Sequence, residues 1–293
     1  DCLPRTLCMN PPTHLPIMAA FAALISVQTG AAFAKSLFPL VGAEGVAALR
    51  LGLSALWLSL WFRPWRLWRA RPDWLALLGY GIMLGLMNLL IYRAFMYIHV
   101  SLAVSIEVIG PLAVALLNSR QRRDVLWVGL ALLGLALLPF GQLGSGLDVR
   151  GVAYALAAAL CWALYVVFGA RAASGGGQAV ATGMLVAALF AVPLGVAQSG
   201  AQLLTPYALA IGLVVAVLSS MLPFLLDMYA MRWLPARVFG VLLSASPAMS
   251  ALAGWWVLGE TLGPLQILGV SAIMLACAGS ALFARPANTG DQS

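Results

Sequence analysis

The chain has 293 residues, of which 63% are hydrophobic and 9% are charged, and its formal net charge at pH 7 is +7. Because about a quarter of the residues of a soluble domain are charged, the composition excludes a soluble globular protein and indicates a lipid environment. The positive charge does not indicate a nucleic-acid partner, since the basic residues lie in short segments between apolar runs, as membrane orientation requires.

Residues 1–15 form a polar leader in which Met9 is a candidate for the true start. We expect no cleavable signal peptide, because the first apolar run is long enough to span a membrane. Of the four cysteines, two lie in the leader and two, Cys161 and Cys277, lie within apolar runs, and none has the spacing of metal ligands. No metal or other cofactor is therefore expected.

Long apolar runs follow the leader and predict the fold class. A helix crosses a hydrocarbon core of roughly 30 Å with about 20 residues, and a spanning backbone must satisfy its own hydrogen bonds. We therefore predict an all-α integral membrane protein with ten transmembrane helices. The predicted spans are 16–37, 44–62, 74–96, 100–118, 125–141, 151–172, 179–197, 207–231, 237–258 and 264–284.

The basic residues between the spans predict the orientation of the chain. Cytoplasmic loops are enriched in Arg and Lys, and an even number of spans puts both termini on one side. Both termini are predicted to be cytoplasmic, because that side then carries the larger basic set. It consists of Arg5, Arg63, Arg66, Arg69, Arg71, Arg120, Arg122, Arg123, Arg171, Arg232, Arg237 and Arg285, against Lys35, Arg93 and Arg150 on the other side.

The chain divides into two halves of five predicted spans each. Because five is odd, the second half enters the membrane from the opposite face, and many transporters build two-faced access from such inverted repeats. Pro111 and Pro247 coincide when the halves are superposed, which supports two five-helix inverted repeats around a central cavity. The predicted segments are a first repeat at 16–141, a connection at 142–150, a second repeat at 151–285 and a polar tail at 286–293.

Three ionisable side chains, Arg50, Glu107 and Asp227, lie at membrane depth in the predicted spans. Such a group costs roughly 3 kcal/mol or more in lipid and often marks a transport pathway. A zwitterionic substrate needs a cation for its carboxylate and an anion for its ammonium, and Arg50 and Glu107 fit these two roles. The alternative for this pair is a structural ion pair, and the alternative for Asp227 is a contact with Arg232 or the cytoplasmic interface.

Other polar side chains at similar depth are candidates for the same substrate site, although each one alone also fits a helix-to-helix contact. Just before the last span, Glu260 is predicted to cap the amino end of that helix, where negative charge is favoured. The candidate substrate-binding residues, besides Arg50 and Glu107, are Gln28, Asn88, Tyr92, Tyr165 and Ser246.

Two prolines inside the predicted spans are expected to break their helices. A proline has no N–H, so the carbonyl four residues before it loses its usual helical donor. For Pro111 and Pro247 these are the carbonyls of Glu107 and Leu243. Broken helices at the midplane are where transporters place substrate and ion sites.

Several segments resemble the EamA family of the drug/metabolite transporter superfamily. The resemblance extends from Leu15 to Phe283, so it covers nearly the whole chain. The segments that carry it are 34–43 (AKSLFPLVGA) followed by 48–50 (ALR), 87–89 (MNL), 110–116 (GPLAVAL) with Glu107 before it, 234–240 (LPARVFG) and 259–262 (GETL).

The resemblance implies ten helices in two inverted repeats and the export of threonine, homoserine and related small amino acids. It implies alternating access across the bacterial inner membrane, driven by the proton motive force. Glu107 is the first candidate for the group that carries the proton, and Asp227 is the second. The expected partners are a small amino-acid or metabolite substrate, protons and membrane lipids.

One departure from the family pattern leaves the substrate open. The resemblance implies a glutamate before the second proline, where this chain has Ser246. Loss of that carboxylate favours an alternative, an exporter of aromatic amino acids, drugs or other metabolites. A membrane enzyme is less supported because no catalytic set is evident, and so is a non-transporting receptor, which would not need two matched halves.

Overall fold

The computed structural model describes residues 14–68, 72–98, 100–118, 122–137, 148–249 and 263–282, and every regular element within them is helical. Short turns of 3₁₀-helix at Ala173–Gly175 and Gly200–Leu204, and a π-helical turn at Val217–Met221, join neighbouring helices. The helices are α1 (His14–Phe62), α2 (Trp65–Trp68), α3 (Trp74–Phe95), α4 (Val100–Glu107), α5 (Ile109–Leu117), α6 (Arg122–Leu137), α7 (Val149–Ala172), α8 (Gly176–Ser199), α9 (Pro206–Ala216), α10 (Leu222–Trp233), α11 (Ala236–Leu243), α12 (245–249) and α13 (Pro264–Leu282).

Several of these helices have the length and hydropathy of membrane spans. Within the described residues, four helical stretches are long and apolar enough to cross a membrane, namely Glu44–Phe62, Trp74–Phe95, Val149–Leu204 and Pro206–Trp233. The third of these contains α7 and α8 with the turn between them. Shorter apolar helices cover His14–Val27, Ala103–Leu117, Asp124–Leu137, Ala236–Met249 and Ile267–Gly279.

The outer surface of the bundle is apolar. Leu117 is 84% exposed, Leu189 is 75% exposed and Leu156 is 50% exposed. Soluble monomers rarely leave large contiguous apolar surfaces in water, whereas lipid tails solvate them well. Together with the apolar helices, this surface identifies a multi-pass membrane protein.

Helix α1 consists of two arms, 14–41 and 43–62, which meet at a bend at Gly42. The φ and ψ angles of Gly42 are 66° and 179°, a conformation that glycine adopts without the steric cost of a Cβ. Beside the bend, the carbonyl of Val41 accepts a hydrogen bond of 2.6 Å from Ser199 Oγ of α8. The bend lies between the predicted spans 16–37 and 44–62.

Polar residues set the beginning of two long helices. Asp73 precedes α3, and its carboxylate accepts a hydrogen bond of 3.1 Å from the N–H of Ala76. Asp148 precedes α7 and accepts one of 2.8 Å from the N–H of Arg150. Each side chain satisfies one of the N–H groups that the first turn of a helix leaves unpaired.

Helix α8 lies between α3 and the second arm of α1. Gly81 of α3 faces the backbone of α8, where an added Cβ would come within 2.8 Å of the Gly183 carbonyl oxygen. On the other side, Gly52 of α1 lies opposite Val192. Small residues at such positions let helix backbones approach closely in lipid, where packing rather than the hydrophobic effect drives association.

Helix α5 crosses two other helices at glycines. A Cβ on Gly110 would collide with the carbonyl oxygen of Ala159 in α7, and a Cβ on Gly240 of α11 would collide with the carbonyl oxygen of Pro111. The two helices that carry the predicted proline breaks therefore touch each other directly. Helix α5 is therefore held by close backbone contact on two sides, against α7 and against α11.

We expect the substitution Gly110→Ala to lower the Tm of the purified protein in detergent, because the added methyl group meets backbone that no side-chain rotation can move. Forcing extra volume into a packed contact costs about 1–3 kcal/mol. Differential scanning fluorimetry would measure the change.

The matched control is Gly129→Ala on α6, where an added Cβ meets no atom within 4 Å. Its Tm should stay the same or rise, since alanine favours the helix over glycine. If the Gly110→Ala protein has the same Tm as the Gly129→Ala protein, the close crossing of α5 and α7 is contradicted.

Candidate functional site

Arg50 lies half-buried in the second arm of α1, and hydroxyl groups from two other segments hold it. Its Nε donates a hydrogen bond of 2.8 Å to Ser220 Oγ, and its Nη1 donates one of 3.1 Å to Tyr92 Oη of α3. Hydrogen bonds from an ionised donor are roughly twice as strong as neutral ones, so these two orient the guanidinium plane. A guanidinium has five N–H donors, and the other three have no hydrogen-bond partner within the described structure.

Glu107 is the last residue of α4 and is 9% exposed. The chain turns at Val108, and α5 begins at Ile109. The interruption therefore directly follows the residue whose carbonyl was expected to lose its donor to Pro111. The Glu107 carboxylate is within electrostatic range of Arg50, but no ion pair or hydrogen bond joins the two side chains in the part of the chain that the structure describes.

A second break has the same spacing from its proline. Helix α11 ends at Leu243, the chain turns at Ser244, and helical structure resumes before Pro247. The carbonyl of Val241 accepts hydrogen bonds from Ser244 Oγ at 2.6 Å and from Cys277 Sγ of α13 at 3.3 Å. The candidate Ser246 lies half-buried just after this turn.

Asp227 of α10 belongs to a different buried cluster, with Tyr165 of α7 and Tyr80 of α3. The two tyrosine rings stack with their centroids 5.0 Å apart, and the ring of Phe224 lies edge-on to Tyr165 at 5.9 Å. The Tyr165 hydroxyl lies close enough to Asp227 and to the Tyr80 hydroxyl for these polar groups to interact. None of these contacts has hydrogen-bond geometry, so Asp227 Oδ1 and both tyrosine hydroxyls form no hydrogen bond among the described residues, although buried polar atoms are normally paired.

This cluster bears on two of the sequence-based predictions. Tyr165, a predicted substrate ligand, lies beside Tyr80 and Asp227, and its role as a substrate ligand stays a prediction. The contact considered between Asp227 and Arg232 is not formed in the described structure, where the guanidinium of Arg232 lies 5.4 Å from the centre of the Trp233 ring.

The remaining candidates are placed as follows. Asn88 is buried, and its Nδ2 donates a hydrogen bond of 2.8 Å to the carbonyl of Leu84 in its own helix. The side chain of Gln28 and the predicted helix cap Glu260 lie outside the described residues. Among the residues that are described, no group of three or more His, Cys, Asp or Glu side chains lies together as metal ligands would.

The π-helical turn at Val217–Met221 is a feature that the sequence analysis missed, because it treated 207–231 as one regular span. Pro223 has no N–H for the carbonyl of Ser219, four residues earlier, and this was the signal that could have indicated an irregular turn. Single π-helical turns within α-helices are frequent at functional sites. This turn carries Ser220, the partner of Arg50.

Comparison with known proteins gives close relatives over almost the whole chain. The model of the EamA-like transporter family matches residues 149–282. Over 276 residues the chain is 49% identical to the threonine/homoserine exporter RhtA of Escherichia coli (strain K12) and 50% identical to that of Salmonella typhimurium (strain LT2). Each alignment covers 94% of this chain and 94% of the relative.

A solved crystal structure has a similar fold. It superposes with a TM-score of 0.74 and covers 92% of this chain and 97% of its own, at 20% sequence identity. At that identity the likeness concerns the fold alone.

The buried cluster around Asp227 generates a stability prediction. We expect Tyr165→Phe to leave the Tm in detergent unchanged or slightly raised, because it removes a buried hydroxyl that has no hydrogen-bond partner in the described structure. The matched comparison is Tyr92→Phe, which removes an acceptor of the Arg50 guanidinium and should cost about 1.5 kcal/mol or more. If Tyr165→Phe lowers the Tm as much as Tyr92→Phe does, the Tyr165 hydroxyl has a structural partner.

Proposed function

Because the chain belongs to the EamA-like transporter family, we propose that it exports small amino acids such as threonine and homoserine by alternating access. The observation that carries this proposal is the 49% identity, over 94% of the chain, to an exporter named for these two amino acids. The same similarity favours them over the alternative of aromatic amino acids, drugs or other metabolites. A membrane enzyme is not supported, since the family consists of transporters.

The contacts of Arg50 support a substrate site around it. The guanidinium keeps N–H donors for the carboxylate of an amino acid, and Glu107 offers its carboxylate for the ammonium group. The backbone carbonyl of Glu107, freed at the helix break, is a second acceptor for the ammonium. The side chains proposed to complete the site, with Asn88 or Ser246 for the substrate hydroxyl, are Gln28, Asn88, Tyr92, Tyr165 and Ser246.

The proposed architecture is ten spans in two inverted repeats around a central cavity. Its support is the equal spacing of the two breaks, which precede Pro111 and Pro247 by the same number of residues. Helices in the same position of the two halves also pack on each other, as α5 does on α11, α6 on α13, and the second arm of α1 on α8. Such pairing is the arrangement expected around a pseudo-two-fold axis in the membrane plane.

The proposed location is the bacterial inner membrane, with both termini in the cytoplasm and lipids around the bundle. The distribution of basic residues between the spans supports this orientation. Exposed tryptophans around the basic segment after α1 also support it, since such rings favour the lipid headgroups. They are Trp57, Trp61, Trp65, Trp68 and Trp74.

Transport by inverted membrane vesicles tests the function. Vesicles with the wild-type chain should accumulate labelled threonine and homoserine, and overproducing cells should tolerate toxic concentrations of both. We expect Arg50→Gln and Glu107→Gln to remain inserted at normal abundance but to reduce export about tenfold or more, because each removes a charged contact to the substrate.

The matched control is Arg232→Gln, which removes an exposed arginine outside the proposed site and should transport normally. Wild-type vesicles that move neither amino acid would refute the proposed substrates. If both site variants instead disappear from the membrane while Arg232→Gln is abundant, Arg50 and Glu107 act in folding.

Proton exchange is the proposed energy source. It requires a carboxyl group that changes its protonation when the site switches sides, and the proton affinity of such a group depends on burial and on nearby charge. Glu107 meets this requirement if its distance to Arg50 differs between the two states. Asp227 is the second candidate, because it is buried with an oxygen that has no hydrogen-bond partner within the described residues.

We expect Glu107→Gln to abolish threonine transport driven uphill by an imposed pH gradient while retaining some downhill exchange. The amide keeps the size of the side chain but cannot carry the proton. Asp227→Asn should have a smaller effect in the same assay. Loss of uphill transport only in Asp227→Asn would transfer the role to Asp227, and uphill transport in both variants would exclude coupling through these two groups.

A further inference from the structure

The π-helical turn between α9 and α10 is held by both arms of α1. Ser26 of the first arm donates a hydrogen bond of 2.6 Å to the carbonyl of Leu218, and Ser54 of the second arm donates one of 3.1 Å to the carbonyl of Ala216. A π-helical turn displaces carbonyl groups from the regular α-helical pattern, and the two serines pair carbonyls there. The turn is therefore fixed from two directions.

The first arm of α1 also packs closely against the turn at a glycine. A Cβ on Gly30 would collide with Ser219 Oγ. Ser219 and Ser220 are 2% and 0% exposed, so water does not reach either side chain. The orientation of Ser220 is thus determined by the packing of the turn and not by the solvent.

This fixed turn directs Ser220 Oγ at the Nε of Arg50. We propose that Ser220 is a positioning residue for substrate recognition, which orients the guanidinium of Arg50 for the carboxylate of the transported amino acid. The inference rests on the proposed function, because it assigns the partner of Arg50 as the substrate carboxylate.

The hydrogen bonds also limit which N–H groups of the guanidinium the substrate can use. With Nε bonded to Ser220 and one N–H of Nη1 bonded to Tyr92, the remaining donors belong to Nη1 and Nη2. The edge formed by Nε and Nη2 lacks a free donor on Nε, so the proposal assigns the carboxylate to the remaining N–H groups of Nη1 and Nη2. Removal of the Ser220 hydroxyl frees Nε and lets the plane rotate out of this arrangement.

The alternative is that Ser220 only stabilises the fold. Ser54 provides a matched control that distinguishes this alternative from a role in recognition. Ser54 is equally buried and bonds the same turn, but to a backbone carbonyl and not to Arg50. Ser54→Ala removes one of the two bonds that hold the turn and should lower stability, while the bond from Ser26 and the contact of Gly30 with Ser219 keep Ser220 directed at Arg50. Ser220→Ala should change the recognition of the carboxylate.

The test measures initial rates of labelled L-threonine uptake into inverted vesicles and the inhibition of that uptake by L-threonine and by L-threoninamide, which lacks the carboxylate. We expect Ser220→Ala to raise the KM about tenfold, as loss of one hydrogen bond to a charged group predicts, with little change in the maximal rate per inserted molecule. The preference for threonine over threoninamide should fall in parallel. Ser54→Ala should keep both the wild-type KM and the wild-type preference.

A second variant covers the case in which Ser220→Ala does not insert. Ser220→Cys fills nearly the same space with a weak acceptor and should show the same rise in KM and the same loss of preference. Wild-type values for the inserted Ser220 variants would overturn the inference while leaving threonine export intact, and so would equal shifts in Ser54→Ala. Absence of threonine transport by the wild-type chain would overturn the proposed function and the inference together.

Discussion

A helix that is interrupted inside a membrane presents backbone carbonyls that lipid cannot satisfy, and the structure of this chain depends on how it meets that constraint. Side chains of other helices pair the carbonyls near the interruptions. Because the partners come from distant parts of the sequence, each interruption ties helices together. The pairs of carbonyl and donor are Ala216 with Ser54, Leu218 with Ser26, and Val241 with Cys277, and at the bend between two predicted spans Val41 is paired with Ser199.

The bend of α1 at Gly42 gives this pairing its geometry. A straight helix of 49 residues would be about 74 Å long, far beyond the thickness of a bilayer, and could not bring its two ends to one point. The bend folds the two arms back so that Ser26 and Ser54 reach the same π-helical turn. The bend thus brings both arms of α1 against the segment that carries Ser220, the partner of Arg50.

The sequence was sufficient for the features that local chemistry controls. Apolar runs predicted helices, and the carbonyls of Glu107 and Leu243, expected to lose their donors to Pro111 and Pro247, directly precede the interruptions at Val108 and Ser244. It was insufficient for partners chosen by tertiary packing. Arg50 and Ser220 are 170 residues apart, and any of several buried hydroxyls could have faced the guanidinium. The neighbours of Tyr165 could not be predicted for the same reason, since ring stacking on Tyr80 brings it beside Asp227.

The choice of neutral partners for Arg50 bears directly on transport. If Glu107 formed a close ion pair with it, a substrate carboxylate would have to break that pair, and separating a buried pair costs about 3–5 kcal/mol. Two hydroxyls orient the guanidinium without neutralising it, so its charge stays available to an arriving anion. Glu107, not bonded to Arg50 in the described structure, is likewise available to an ammonium group or a proton. In the proposed site the two side chains bind a zwitterion between them, and Arg50 is free to do so because hydroxyl groups, and not Glu107, orient its guanidinium.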